Sequence, residues 1–562
     1  MYMHSYTRIL YVEGELSSMS RSSTELMGIP EELFHWVPDE MVVIVRLPRM
    51  PIDDTQDIVA EQVRTQLNDF LAEYGVTLEV YGTYGRWTDT PTMPPIRRRS
   101  FIFGLHKKQP LFAIFFHARR TNPAVTDPLP LALSHMQARL EQLAKAGLHI
   151  VSAMPNWLVT AAPLLYADGG AAVPPRPAPT LDIPAPNNML IGWRIVLGDA
   201  SIPLDSKGGE DVLVAVLDTA HHPDRIRSAA SRLELRRNWL LQRLASDLRN
   251  EDGSFSIEYD RYPISNDVRS GRDRYGDAKY YLMPDHGISV AGLVRDVAPN
   301  ARIRLIRVLN DYGGCDLYNV FAALTDLERE IFSGTIRRLV INLSLTIMPD
   351  IRRLPFLWFD NRQWPTTQLY GVVRVLNHIE EGLRLLFESL YAHGALVVAA
   401  AGNDSLQATQ QKLVPRPPRA PARYETTLSV TSVNSSFAPS NFANSASIPP
   451  FDSGVATFGG DGAGVVDNNA LPDAVRGVYI SPTFPTGEQN TSGWADWSGS
   501  SFSTSIMSGF ATHLMAQGWS ASNIITRLSS APERRSDTLF GSVPDAPSLL
   551  ANIIRVQQRF GL

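Results

Sequence analysis

Four segments of the chain carry the side chains of a nucleophilic acyl-transfer site, in the order Asp, His, Asn, Ser. The apolar run Val212 to Leu217 ends in Asp218-Thr219. Asp285-His286-Gly287 comes second, Gly402-Asn403-Asp404 third and Gly499-Ser500-Ser501 fourth. A carboxylate can hold an imidazole in one tautomer, and an imidazole beside a hydroxyl turns it into a nucleophile at neutral pH. Attack by that hydroxyl creates an oxyanion, for which the Asn403 amide is a candidate donor. One such donor contributes about 3–4 kcal/mol in the transition state. Taken singly, each residue has an ordinary explanation: an Asp at a strand end is usually a turn residue, an Asn after Gly a turn former, a Ser among Gly and Ser a loop residue. The four in register point to chemistry.

Those side chains need a scaffold. Val212 to Leu217 reads as a central parallel strand buried on both faces. That puts Asp218 at its carboxyl end, where open α/β sheets gather functional groups. His286 starts a helix-like run whose small residues, Gly287, Ser289, Ala291 and Gly292, allow close packing. A second buried strand precedes Gly402-Asn403. Ser501 opens a helix expected to reach Gln517. Its hydroxyl therefore lies beside free backbone N–H groups and the positive end of a helix dipole.

On these motifs the chain resembles the subtilisin-like serine proteases, the subtilases, over about residues 190–530. Further landmarks follow in order: His222-Pro223-Asp224, then Val297-Ala298-Pro299-Asn300-Ala301 leading to a strand at Ile303 to Val308. Val340 to Leu345 is the segment that in the family pairs with extended substrate. The resemblance implies an α/β catalytic domain with a mostly parallel central sheet flanked by helices. It also implies roles. Ser501 attacks the scissile carbonyl, His286 takes its proton and returns it to the leaving amine, and Asp218 orients and stabilises the imidazolium. Asn403 and the backbone N–H of Ser501 hold the oxyanion, and Ser344, Leu345, Ala401 and Gly402 line the substrate cleft. No metal or other cofactor is required for this chemistry. Structural calcium is common in the family, but the sequence locates no site for it.

The chain departs from the family pattern at several positions. Ala220 stands where Gly is usual, Ser289 where a second His is common, Phe502 where Met is usual and Ser505 where Pro is usual. Thr346-Ile347 replaces a Gly-Gly pair, which brings side chains to the rim of the cleft. None of these changes removes a reacting group.

A length of 562 residues suggests two to four domains. Apolar content of 44% and charged content of 19% are ordinary for a soluble globular chain. A net charge of −5 over this length argues against obligate nucleic-acid binding. The single cysteine, Cys315, excludes an intrachain disulfide and reads as a small filler after the Gly313-Gly314 turn. Met1 to Arg21 lacks an apolar core and carries Glu13 and Glu15, unlike a secretory signal. No apolar run is long enough to span a membrane. The expectation is a cytoplasmic protein acting on a polypeptide substrate, with no nucleic-acid or membrane partner.

After an N-terminal extension, 1–37, residues 38–163 read as a separate unit. Strands are expected at Met41 to Leu47, Val76 to Tyr81, Ser100 to Leu105, Leu111 to His117 and Leu148 to Ala153, with helices at Thr55 to Tyr74 and Pro130 to Gly147. With one strand more than its four, the order is read as β-α-β-β-α-β, the ferredoxin-like α+β pattern. Subtilase propeptides resemble this fold, and Met154-Pro155-Asn156-Trp157 is similar to the Pro-Asn-aromatic sequence that often ends one. The alternative is an unrelated ferredoxin-like module. A Pro-rich linker, 164–189, reads as an extended spacer before the catalytic domain, 190–562.

Two insertions rim the expected cleft. Asp218 and His286 are 68 positions apart, about twice the spacing the resemblance implies. The extra chain, within 225–283, holds a helix expected over Asp224 to Asn250, which from Arg225 to Arg249 carries seven Arg against Glu234 and Asp247. It is either a solvated face or an exosite for an acidic or regulatory protein partner. The second insertion, 347–377, contains Phe356, Trp358, Trp364 and Tyr370. Three functions stay open at this point. One is an intracellular serine endopeptidase made as a zymogen and restricted by its N-terminal domain, for precursor maturation or cleavage of a partner protein. The others are a catalytically silent peptide-binding module and a secreted degradative protease lacking its leader.

Overall fold

The run Leu213–Asp218 is the switch point of a parallel eight-stranded sheet. On one side it pairs with Arg302–Arg307 and through it with Ile257–Arg261. On the other it pairs with Leu339–Leu343, followed by Leu396–Ala400, Thr427–Val433, Gly454–Phe458 and Asn552–Ile553. The computed structural model describes residues 36–49, 56–80, 100–125, 128–161, 175–178, 194–197, 200–203, 208–248, 257–261, 282–347, 380–405, 415–436, 438–447, 454–461, 473–529, 552–553 and 555–557. The insertion 347–377, beyond Ile347, and the N-terminal extension before Trp36 lie outside these residues.

Both faces of the sheet are covered, which is why its strands are continuously apolar. Along the first strand Val212, Val214 and Val216 join one core, with the helices His286–Val297 and Ser500–Ala516. Leu213, Ala215 and Leu217 join the other, with the helices Leu317–Phe332 and 380–392. The helix expected over Asp224 to Asn250 is instead two, Pro223–Ser231 and Trp239–Asp247. The chain between them turns through Leu233–Leu235, and Asn238 caps the second by accepting the Leu241 N–H. Three of the arginines here are engaged locally: Arg227 with Asp224, Arg232 with Glu234 and Arg243 with Asp247.

The N-terminal unit is antiparallel α+β. Trp36–Arg46 lies between Leu111–Arg120 and Ile150–Thr160. The outer edge of Leu111–Arg120 is covered by two short strands in line, Val76–Val80 at one end and Ser100–Phe103 at the other. They act as one edge strand interrupted by 81–99, and this completes the β-α-β-β-α-β order. The helices are Gln56–Leu71 and Pro128–Ala138; the second expected helix breaks at Arg139 and resumes as Leu140–Lys145.

The last strand does not end near Ala153. It runs from Ile150 to Thr160 and leaves its own sheet for the other unit. Leu158, Val159 and Thr160 pair antiparallel with Asp316, Cys315 and Gly314 on one edge. On the other edge Val159 and Thr160 pair antiparallel with Ile347 and Thr346. Inside the Pro-rich linker, Arg176–Pro177 is a strand paired with Ala495 and Asp496, and Ala178 is buried. That part is not a loose spacer. Arg194–Leu197, Ala200–Pro203 and Arg555–Gln557 form a small separate sheet.

The two units share one core. Phe101 and Phe115 pack edge-on to Tyr318, and both reach Phe321 with centroids about 6 Å away. Asn156 is buried at the junction. Its amide donates to Glu40 Oε2 at 2.6 Å and accepts the N–H of Tyr318 at 3.2 Å.

Candidate active site

Asp218 ends its strand fully buried, with its carboxylate held from two sides. The Thr219 N–H donates to Oδ1 at 2.6 Å, and His286 Nδ1 lies 2.8 and 2.9 Å from the two oxygens. A carboxylate accepts only, so Nδ1 carries the proton and Nε2 keeps its lone pair. Thr219 fastens the His286 helix to the strand: its hydroxyl donates to the Pro284 carbonyl and accepts the Gly287 N–H at 2.9 Å. The approach is so close that a Cβ on Gly287 would lie 1.7 Å from the Thr219 oxygen. Only Gly fits there.

A second buried His–carboxylate pair adjoins the first along the chain. His221 Nε2 lies 2.7 Å from Asp285 Oδ1, and Asp285 also accepts the N–H groups of Ile480 and Ser481. It anchors the residue before His286. The adjacency of Asp285 to His286 and of His221 to Thr219-Ala220 was the available signal in the sequence.

Ser501 lies in the first turn of the helix Ser500–Ala516, after Gly499 at φ 148°. That backbone conformation is one that L side chains rarely adopt. The ring of Phe502 is 5.4 Å from that of His286, which brings the two helix starts together. Ser501 Oγ is within reach of the Ser344 carbonyl at 3.3 Å and the Ala161 carbonyl at 3.4 Å. Among the described residues it makes no hydrogen bond to His286. Ser505, in the family's Pro position, donates to the Ser501 carbonyl at 2.8 Å.

Asn403 Oδ1 accepts the Ser500 N–H at 2.9 Å, which fixes the amide with Nδ2 as the donor left over. Asp404 accepts from Arg419 Nε at 2.7 Å and Asn444 Nδ2 at 2.9 Å. Burial alone would raise its carboxyl; Arg419, with Arg416 and Asn444, outweighs burial and holds it below the usual Asp value. Leu345, Thr346, Ala400, Gly402, Asn403, Asp404, Ser500 and Ser501 line a small pocket, and Ala161 closes onto it. Ala401, expected in the cleft, is not in that wall. It is fully buried, with its N–H on Val430 and its carbonyl on the Arg419 N–H.

Beside the pocket the Ala161 N–H donates to the Gly313 carbonyl at 2.8 Å. Thr346-Ile347, which stands in place of a Gly-Gly pair at the rim, supplies one edge of the pairing with Val159 and Thr160. The pairing thus falls on Thr346-Ile347, the two residues that follow Ser344-Leu345. The opposite edge, Gly314–Asp316, went unread as a strand. Cys315 within it is fully buried, and burial holds its thiol well above the ordinary value, in the inert form.

A buried Asp–His pair at the carboxyl end of a parallel strand, with a Ser at a helix start and an extended strand clamped beside it, is the layout of an α/β serine peptidase. The subtilase family model matches residues 209–537, over half of the chain, and the chain belongs to that family. Among curated proteins none matches. Solved structures similar to it include a lanthipeptide protease, 18% identical with a TM-score of 0.33, covering 57% of this chain and 80% of that one. A mutant of the protease domain of PatA is 18% identical with a TM-score of 0.34, covering 62% and 93%. A psychrophilic protease is 16% identical with a TM-score of 0.33, covering 57% and 83%. Among the described residues no helix is long and apolar enough to cross a membrane.

Proposed function

We propose that this chain is a serine endopeptidase made as a self-blocked precursor, which its own Ser501 cuts after Ala161. One observation carries the reading. The strand Leu158–Thr160 is paired on both edges as a substrate would be, and the Ala161 carbonyl oxygen that follows is 3.4 Å from Ser501 Oγ. Two-edged pairing fixes the register of a peptide, and register decides which carbonyl meets the nucleophile.

The steps follow from the geometry. Ser501 turns from its carbonyl contacts to His286 and gives its proton to Nε2 as Oγ bonds to the Ala161 carbonyl carbon. Asn403 Nδ2 and the Ser501 N–H receive the oxyanion. His286 then protonates the Ala162 nitrogen as the C–N bond breaks, and water releases Ala161 from the acyl-enzyme by the reverse route. Asp218 keeps the imidazole aligned and stabilises its charged form.

Ala161 itself stands before the proposed scissile bond, which favours a small residue there. With its N-terminal unit docked the cleft is full, so the enzyme acts on restricted substrates, as in precursor maturation or cleavage of a partner protein. A cytoplasmic setting belongs to the same reading, since the lone, buried Cys315 can form no intrachain disulfide.

Intact-mass analysis of the wild type beside Ser501→Ala tests this. The wild type should yield a fragment beginning at Ala162, and Ser501→Ala should stay whole. A cut only within Tyr166 to Asn188, or cutting in both proteins, would sink the assignment of Ala161. Failure of a fluorophosphonate to label Ser501 after the N-terminal unit is removed would make the chain a silent peptide-binding module.

A further inference from the structure

A second cluster of chemistry-bearing side chains lies away from the cleft, where the N-terminal unit rests on the two helices beneath it. His106 comes from the turn between Ser100–Phe103 and Leu111–Arg120. Glu328 comes from the helix Leu317–Phe332, and His393 follows the helix 380–392. One ligand atom from each of the three lies within 4.8 Å of the other two. We propose that they form a binding site for a single divalent ion of the zinc class, which clamps the N-terminal unit to the catalytic domain.

The carboxylate of Glu328 argues for it. Its residue is fully buried. Oε1 is oriented by the N–H groups of Gly104 and Leu105, both at 3.0 Å, and by the hydroxyl of Ser389. Oε2 is buried with no partner, and so is Nε2 of His393. His393 Nε2 stands 3.6 Å from Glu328 Oε1, too far for a hydrogen bond. A buried carboxylate oxygen and a buried imidazole nitrogen, both unsatisfied and on residues in contact, are costly unless something takes both lone pairs. A cation does.

The donor set selects the ion. Two imidazoles and one carboxylate suit zinc, with a fourth position left for water. Metal–ligand bonds of about 2.0–2.2 Å put tetrahedral donors roughly 3.4 Å apart, near the 3.6 Å between His393 Nε2 and the carboxylate of Glu328 at Oε1. His106 is exposed on its turn and has room to swing in. Its Nδ1 already contacts Ser389 Oγ at 2.9 Å, and Ser389 also orients Glu328. Because one ligand belongs to the N-terminal unit and two to the catalytic domain, the ion stabilises the docked arrangement in proportion to its occupancy. The site itself does not depend on the proposed cut after Ala161.

The test uses the full-length chain carrying Ser501→Ala, stripped of metal and titrated with Zn2+ against a chromophoric chelator, then with Co2+. One equivalent of zinc should bind at micromolar affinity or tighter. Cobalt should give the strong visible absorption of a four-coordinate nitrogen/oxygen site, and zinc should raise the melting temperature. His106→Ala, at an exposed position, should fold and weaken zinc binding by more than about 100-fold, the upper range for loss of an outer-shell partner. His393→Ala should do the same, each variant being checked by its melting curve without metal. Binding weaker than roughly 100 μM, or binding and melting shifts unchanged in His106→Ala, overturns the proposal.

Discussion

The side-chain oxygen of Asn156 accepts the backbone N–H of Tyr318, the second residue of the helix Leu317–Phe332, at 3.2 Å. Asn156 belongs to the N-terminal unit and Tyr318 to the catalytic domain. The other end of the same amide holds the buried Glu40. Removing it leaves a buried carboxylate and a helix N–H short of a partner. Asn156→Ala should weaken docking by about 1–3 kcal/mol, roughly fivefold or more. The check is retention of the processed N-terminal fragment by the catalytic domain on dilution. Equal retention in variant and wild type would deny the contact any part in docking.

Gly287→Ala should disable the enzyme without touching a reacting group. The added methyl has nowhere to go but into the Thr219 carbonyl, and that carbonyl belongs to the strand end that carries Asp218. Overpacking of this kind costs about 1–3 kcal/mol or more, and here the relief is to push His286 away. Labelling of Ser501 by a fluorophosphonate should fall with a lowered melting temperature. Full labelling would show that the helix start has slack.

Asn403→Ala should lower kcat by about 10²–10³ with little change in KM, because the oxyanion exists only beyond the ground state. Steady-state kinetics on a peptide ending in Thr-Ala at the cut site separates the two constants. A pure KM effect would remove Asn403 from the oxyanion hole.

Asp404 gives a pH prediction with a definite sign. Burial would raise its folded carboxyl, but Arg419 outweighs burial and holds it below the ordinary Asp value of 3.8, so it binds its proton less readily than in the unfolded chain. It therefore contributes stability above 3.8 and loses it as pH falls through the lower folded value. Asp404→Asn, which keeps the volume and removes the charge beside Arg419, should be less stable near neutrality by about 3–5 kcal/mol. Melting curves across pH should converge in acid. A constant gap between variant and wild type down to the lowest pH would assign the loss to packing instead of charge.

Much of the site could be read from residue types because each motif is local. The apolar run before Asp218, the small residues after His286 and the glycines before Asn403 and Ser501 are all signals within a few positions. What escaped depends on partners far away in sequence. The sequence ends the strand Ile150–Thr160 near Ala153 because Pro155 and the aromatic after Asn156 look like a strand end, while the pairing that extends it to Thr160 comes from Gly314–Asp316 and Thr346–Ile347. Those two segments are too short to show a period of their own. The break at Arg139 and the turn through Leu233–Leu235 escaped because helical spacing continues across both. The His106–Glu328–His393 cluster has no spacing to read, since its members come from three elements.

The aromatic contact of Phe101 and Phe115 with Tyr318 and Phe321 bears on how such an enzyme could ever be switched on. These rings belong to a single dry core that runs through both units. A boundary of that kind does not breathe open, because parting it would bare several large rings to water at once. Cutting one peptide bond would change the covalent structure and leave the lock closed. Liberation of the enzyme would then be a matter of destroying the lock: the N-terminal unit must be melted or digested where it sits, and once gone it cannot be put back.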